Sequence, residues 1–215
     1  MKPYELYIFD WDGTLVDSQK KIVDCLCGAA TELDRNLKRD EARGIIGLSL
    51  VVAVGRLFPD MSSEEIAEYI EIYKKHFWSY PADSELFEGV EPLLQQLNQD
   101  PSLFVAVATG KSRAGLEREM DEFDLRKYFH VTRTADETCS KPDPLMLHEI
   151  LEYTAVAPTR ALMVGDTDFD ILMGKAAGVD TLALRCGVHD EDRLKSAKPH
   201  AMLNSVADLK EWLSV

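Results

Sequence analysis

After its first strand-like run, Leu6–Phe9, this chain continues for roughly ninety residues before the next, Phe104–Ala108, although a crossover to a parallel neighbour needs only a dozen or so. The excess has to fold as a module of its own. From Glu91 onward the apolar runs His130–Arg133, Ala161–Val164 and Thr181–Leu184 alternate with helix-like segments, as the βαβ units of a parallel sheet do. The expected fold class is α/β: a doubly wound, Rossmann-like parallel sheet from residues 1–15 and 86–215, with a helical cap domain inserted over residues 16–85. Inside the insertion, Ile22, Leu26 and Ala30 recur at helical spacing, as do Ile66, Tyr69, Ile70 and Tyr73, and Ser62 with Glu65 reads as a capping box. Pro81, Gly89 and Pro92 mark the return to the sheet.

The charge balance narrows the partners. With 24 Lys+Arg against 38 Asp+Glu the net charge is −14, which repels nucleic-acid backbones and anionic membrane surfaces. The apolar stretch from Ile45 to Gly55 is too short and too interrupted to span a bilayer. Four scattered cysteines, Cys25, Cys27, Cys139 and Cys186, make neither a disulfide framework nor a zinc site. The first residues hold no apolar signal core. A cytoplasmic protein with no nucleic-acid or membrane partner is expected.

Asp10-Trp11-Asp12-Gly13-Thr14 follows the first strand directly, and the two-residue period of a strand turns Asp10 and Asp12 to one side and Trp11 to the other. Close carboxylates resist joint ionisation unless a cation or a shared proton relieves them. The pair is therefore a metal site or a nucleophile beside an acid/base, unless it is a solvated turn, for which Asp-Gly is a common signal. A calcium loop does not fit: Leu15 stands where its glycine belongs and Lys21 where its bidentate glutamate belongs.

The second run ends in Thr109-Gly110-Lys111, and the fourth leads into Gly165-Asp166-Thr167-Asp168-Phe169-Asp170. Because the carboxyl ends of parallel strands form one rim, these stretches converge with the first. Asp166 and Asp170 can both face that rim, while Asp168 and Asp170 also suit a helix's first turn. Lys141 sits in Ser140-Lys141-Pro142-Asp143-Pro144, a loop stiffened by two prolines. Alone it reads as an exposed lysine, but a site with several carboxylates and an anionic ligand needs a fixed cation. The histidines, His76, His130, His148, His189 and His200, show no metal spacing and no triad.

These four motifs, in this order, resemble the haloacid dehalogenase superfamily of phosphatases, specifically the members with a small helical cap after the first strand, and the resemblance spans nearly the whole chain. It implies hydrolysis of a small phosphorylated metabolite, a phosphomonoester, through an aspartyl-phosphate. Asp10 would be the nucleophile and Asp12 the acid/base. Mg²⁺ would be held by Asp10, the main-chain carbonyl of Asp12 and Asp166. Gly13, Thr109, Gly110 and Lys141 would bind the phosphoryl group, with Asp170 orienting Lys141 or a water on the metal.

The resemblance also bears on substrate. Relatives that dehalogenate lack the second aspartate, and phosphonate-cleaving relatives carry alanine there, so Asp12 implies ester chemistry. Leu15-Val16-Asp17-Ser18, Thr109-Gly110-Lys111-Ser112-Arg113 and Cys139-Ser140-Lys141-Pro142 look most like the phosphoglycolate phosphatase branch. There, a cap loop similar to Ile46-Gly47-Leu48-Ser49-Leu50 faces the site, although helix packing is the plainer use of such residues. Arg56 and Lys111 either read a substrate carboxylate or are solvated charges, and Tyr73, Phe77, Trp78 and Tyr80 either form an interface or pack cap on core. A sugar-phosphate mutase, an inorganic pyrophosphatase and a phospho-acceptor regulator remain as alternatives. Asp12 speaks against the last, because an acid/base beside a phosphoaspartate shortens its life. Monomer and homodimer are both left open.

Overall fold

The computed structural model describes residues 4–80 and 84–213, so Pro81 lies outside the described residues. The chain runs β1 (Leu6–Phe9), β2 (Val16–Asp17), α1 (Gln19–Glu32), α2 (Arg39–Arg43), α3 (Leu50–Leu57), α4 (Ser63–Trp78), β3 (Glu85–Leu86), α5 (Val90–Leu97), β4 (Phe104–Thr109), α6 (Arg113–Glu122), β5 (Val131–Thr134), α7 (Leu145–Thr154), β6 (Ala161–Gly165), α8 (Asp168–Ala176), β7 (Asp180–Leu184), α9 (Glu191–Ala197), β8 (Ala201–Leu203) and α10 (Val206–Leu213). Six strands form one parallel sheet in the order β5-β4-β1-β6-β7-β8. The chain builds outward from β1 to one edge, then crosses back to start the other half at β6. The reversal beside β1 opens the crevice in which such sheets bind ligands.

Strand alternation sorts the core. Tyr7, Phe9, Val105, Val107, Leu162 and Val164 face α5, α6 and α10 on one side, while Leu6, Ile8, Ala106, Ala108, Ala161 and Met163 face α7 and α8 on the other. With both faces covered, the strands read as unbroken apolar runs. The sequence reading found five of these strands. It missed β8, a three-residue edge strand whose side chains are only half-buried and which gives almost no periodic signal.

Between β2 and β3 lie four helices with their own apolar core. Leu26, Ala29 and Ala30 of α1 pack with Tyr69 and Phe77 of α4, Val54 of α3 and Ala42 of α2. The α4 start is the capping box expected from the sequence: Ser62 accepts from the Glu65 amide, and the Glu65 carboxylate accepts from the Ser62 amide. Such caps are worth about 1 kcal/mol. The chain leaves and re-enters the sheet layer through one antiparallel ribbon, Val16 opposite Leu86 and Asp17 opposite Glu85. No helix among the described residues is long and apolar enough to cross a membrane.

Candidate active site

Three connections bring four charged side chains together over the carboxyl end of the sheet. Asp10 leaves β1, Asp166 leaves β6, Asp170 stands in the first turn of α8, and Lys141 comes from the loop before α7; all four are buried. The Lys141 ammonium lies 2.6 Å from Asp10 Oδ1 and 2.6 Å from Asp170 Oδ1. Burial opposes its charge, but the two carboxylates outweigh that and hold its pKa above the ordinary lysine value. Asp10 shifts well upward, chiefly through burial, with Asp170 and Asp166 adding repulsion that Lys141 offsets only in part. Asp166 is pushed up to about 6 by burial and by Asp170.

This crowding fits a cation. Oxygens of Asp10, Asp166 and Asp170 lie within 4.8 Å of one another, and three carboxylates against one ammonium leave a negative excess. Asp10 Oδ2 is buried without a hydrogen-bond partner, an arrangement that normally costs free energy unless something fills it. All the donors are hard oxygens, as Mg²⁺ prefers. Neighbours lock the set. Thr14 Oγ1 donates to Asp166 Oδ1 (2.8 Å), and the Val188 amide donates to Asp166 Oδ2 (2.7 Å).

Asp170 combines two uses that the sequence left as alternatives. Its Oδ2 accepts from the Thr167 amide and hydroxyl in a capping box, while its Oδ1 holds Lys141. Asp168, by contrast, serves structure. Arg193 grips both its oxygens, at 2.8 and 3.0 Å, and its amide donates to His189 Nδ1. Burial works against ionisation there, but His189 and Arg193 prevail and bring the Asp168 pKa down to about 2.

Asp12 lines the same cavity as Asp10 but keeps different company. Its Oδ1 accepts from Ser18 Oγ at 2.6 Å and lies 3.1 Å from Lys111 Nζ, and its carboxylate is outside the acidic trio. Lys111 is buried, against the reading of a solvated charge. It bridges Asp12 and Glu119, lies 4.9 Å above the Phe77 ring, and has a pKa raised because those carboxylates outweigh its burial. Glu119 also accepts from the Trp11 indole at 2.7 Å. The sequence reading missed Glu119, although a signal was present: with Leu116 and Met120 it lies on the buried face of α6, where a lone acid has to have partners.

The remaining expected residues fall around this centre. Gly13 has φ +86°, and a Cβ there would stand 2.3 Å from Asp166 Oδ2; its amide donates to the Val16 carbonyl. Thr109 is buried, its Oγ1 accepting from the Lys111 amide. Gly110 packs against the helical layer, where a Cβ would meet the Gly47 carbonyl oxygen at 2.4 Å and that of Leu48 at 2.7 Å. Next to it the Ser49 amide donates to Ser140 Oγ at 2.8 Å. The segment from Ile46 to Leu50 therefore does face the site. Arg56 is exposed, near the Phe169 ring and not on the cavity wall. Phe77 and Trp78 pack across to the sheet layer, meeting Lys111 and Arg118.

Known proteins resemble this chain over nearly its whole length. The chain is 33% identical over 216 residues to Probable phosphatase IndB of Dickeya dadantii (strain 3937), covering 97% of this chain and 92% of that protein. It is 30% identical over 210 residues to Pyrophosphatase PpaX of Bacillus cereus (strain G9842), covering 96% and 95%. The fold is shared with a predicted phosphoglycolate phosphatase from Haemophilus somnus 129pt, at TM-score 0.85 and 20% identity over 97% of each chain. The model of one family, haloacid dehalogenase-like hydrolase, matches residues 7–184. With that match spanning both the sheet and the helices inserted after β1, the chain belongs to the haloacid dehalogenase-like hydrolases.

Proposed function

We propose that the protein is a Mg²⁺-dependent phosphatase of small phosphorylated metabolites, acting in the cytoplasm through an aspartyl-phosphate on Asp10, with the helices of residues 16–85 as a cap domain. The observation that carries this reading is the buried Asp10 carboxylate, with one oxygen against Lys141 and the other uncommitted. A carboxylate oxygen of Asp10 is the nucleophile. It forms a bond to phosphorus as the ester P–O bond breaks on the opposite side, and Asp12, as the general acid, gives a proton to the leaving alkoxide. Asp12, now a carboxylate, takes a proton from water as that water attacks phosphorus and frees Asp10. The sum is ester plus water to alcohol plus phosphate.

Lys141 supplies fixed positive charge to the phosphoryl oxygens, and Asp170 sets where it points. The Thr109 hydroxyl, whose oxygen already accepts from Lys111, has its hydrogen left to donate. Asp10, Asp166 and the Asp12 carbonyl would hold Mg²⁺, which when bound neutralises the charge of the transferring group. A second reading, hydrolysis of pyrophosphate, is favoured by the PpaX relatives and differs only in the leaving group.

The test is release of inorganic phosphate from a panel of phosphate esters and pyrophosphate, with Mg²⁺ or EDTA, by wild type and Asp10→Asn. Turnover that needs Mg²⁺ and is lost in the variant is expected. Folded protein that stores a phosphoaspartate without releasing phosphate would overturn the reading, in favour of a mutase or a regulator.

A further inference from the structure

We infer that the substrate carries its phosphate on an apolar body, an alkyl or aryl group of about six carbons or more, and not on a second anionic group. The inference rests on the phosphatase reading above and concerns the same cavity. That cavity has a volume of about 440 Å³ and runs from Asp10 and Asp12 into the helical layer. Ile22, Leu26, Leu48, Ile70 and Phe77 form much of its wall, and Val51 and Trp78, both exposed, extend the apolar lining outward. Size and lining suit a small organic molecule buried on most sides.

Charge points the same way. A second anionic group, such as the carboxylate of phosphoglycolate or the second phosphate of pyrophosphate, is held best by a cation free to pair with it. Of the two lysines lining the cavity among the described residues, Lys111 is held between Asp12 and Glu119, and Lys74, on the exposed face of α4, pairs with Glu71 at 2.6 Å. Asp136 in the wall would repel a further anion. The rim thus provides for one phosphoryl group, and the wall beyond it provides for carbon.

The test measures kcat/KM of the Mg²⁺-loaded protein on ethyl, butyl and hexyl phosphate, whose leaving groups are chemically alike, with acetyl phosphate, phosphoglycolate and pyrophosphate alongside. Each buried methylene contributes about fourfold, so hexyl phosphate is expected to exceed ethyl phosphate by about 10²-fold, with phosphoglycolate and pyrophosphate below hexyl phosphate. Trp78→Ser, at an exposed position, is expected to lower the hexyl-to-ethyl ratio by at least about threefold. Calorimetry with hexylphosphonate and ethylphosphonate, whose P–C bonds resist this chemistry, should give the same order in affinity. A flat or falling series, or phosphoglycolate or pyrophosphate ahead of hexyl phosphate in active enzyme, overturns the inference and leaves the phosphatase reading standing. Folded, Mg²⁺-loaded protein that hydrolyses nothing, acetyl phosphate included, overturns both.

Discussion

The two ends of the cavity are built on opposite principles. At the sheet rim, buried carboxylates and an ammonium crowd together, each pinned by neighbours. A few residues away, the wall formed by α1, α3 and α4 is mostly hydrocarbon. The rim is preorganised charge, worth most where water is excluded; the wall excludes that water and offers bulk contact. On the proposed function, chemistry and selectivity fall to different elements of the same chain, and substitutions should divide along that line.

The largest effect belongs to the rim. Lys141→Met should lower kcat/KM by about 10³-fold on every ester alike, and should cost metal-free protein about 3 kcal/mol of stability, because Asp10 and Asp170 lose their shared cation. A loss that fell only on long-chain esters would erase the distinction between rim and wall.

Gly110→Ala tests the seam. Its methyl would collide with the Gly47 and Leu48 carbonyl oxygens, so the wall would have to shift; kcat/KM should fall by about 10²-fold, with the larger loss on hexyl than on ethyl phosphate. Equal losses would place Gly110 functionally with the rim.

A smaller effect needs no turnover at all. Mg²⁺ at ten times its Kd should raise stability by about 1.4 kcal/mol, read as a higher Tm, and Asp166→Asn should remove the shift. A persistent shift in that variant would move the cation site elsewhere.

The smallest effect lies outside both regions. With its folded pKa held at about 2 against an ordinary 3.8, Asp168 contributes stability that is fully present above about pH 4 and is lost as pH falls toward 2. Partial exposure of the pair reduces this to about 1 kcal/mol. Acid titration of Asp168→Asn should show a shallower loss over that window, with activity at neutral pH little affected.

The same division governs what could be read from the sequence. Asp10, Lys141, Asp166 and Asp170 were legible because strand ends converge in a parallel sheet, so separate short motifs could be assigned one destination. The α4 boundary was legible because Ser62 and Glu65 act locally. The wall was not: Ile22, Leu48, Phe77 and Gly115 line one cavity from distant positions, and apolar residues at helical spacing look alike whether they face a core or a ligand. Lys111 gave no sign of its burial, since that depends on Glu119 and Phe77 arriving from other elements. β8 escaped because three half-buried residues carry no period.

Val188 belongs to both regions at once. Its side chain is part of the apolar core of the inserted helices, while its amide holds Asp166 Oδ2, and Arg43 of α2 donates to its carbonyl at 3.0 Å. A movement of the helices that carried Val188 with it would withdraw the amide from the carboxylate. If Asp166 holds a cation as proposed, cation affinity and the position of the inserted helices would be thermodynamically linked, whatever favours one favouring the other by the same free energy.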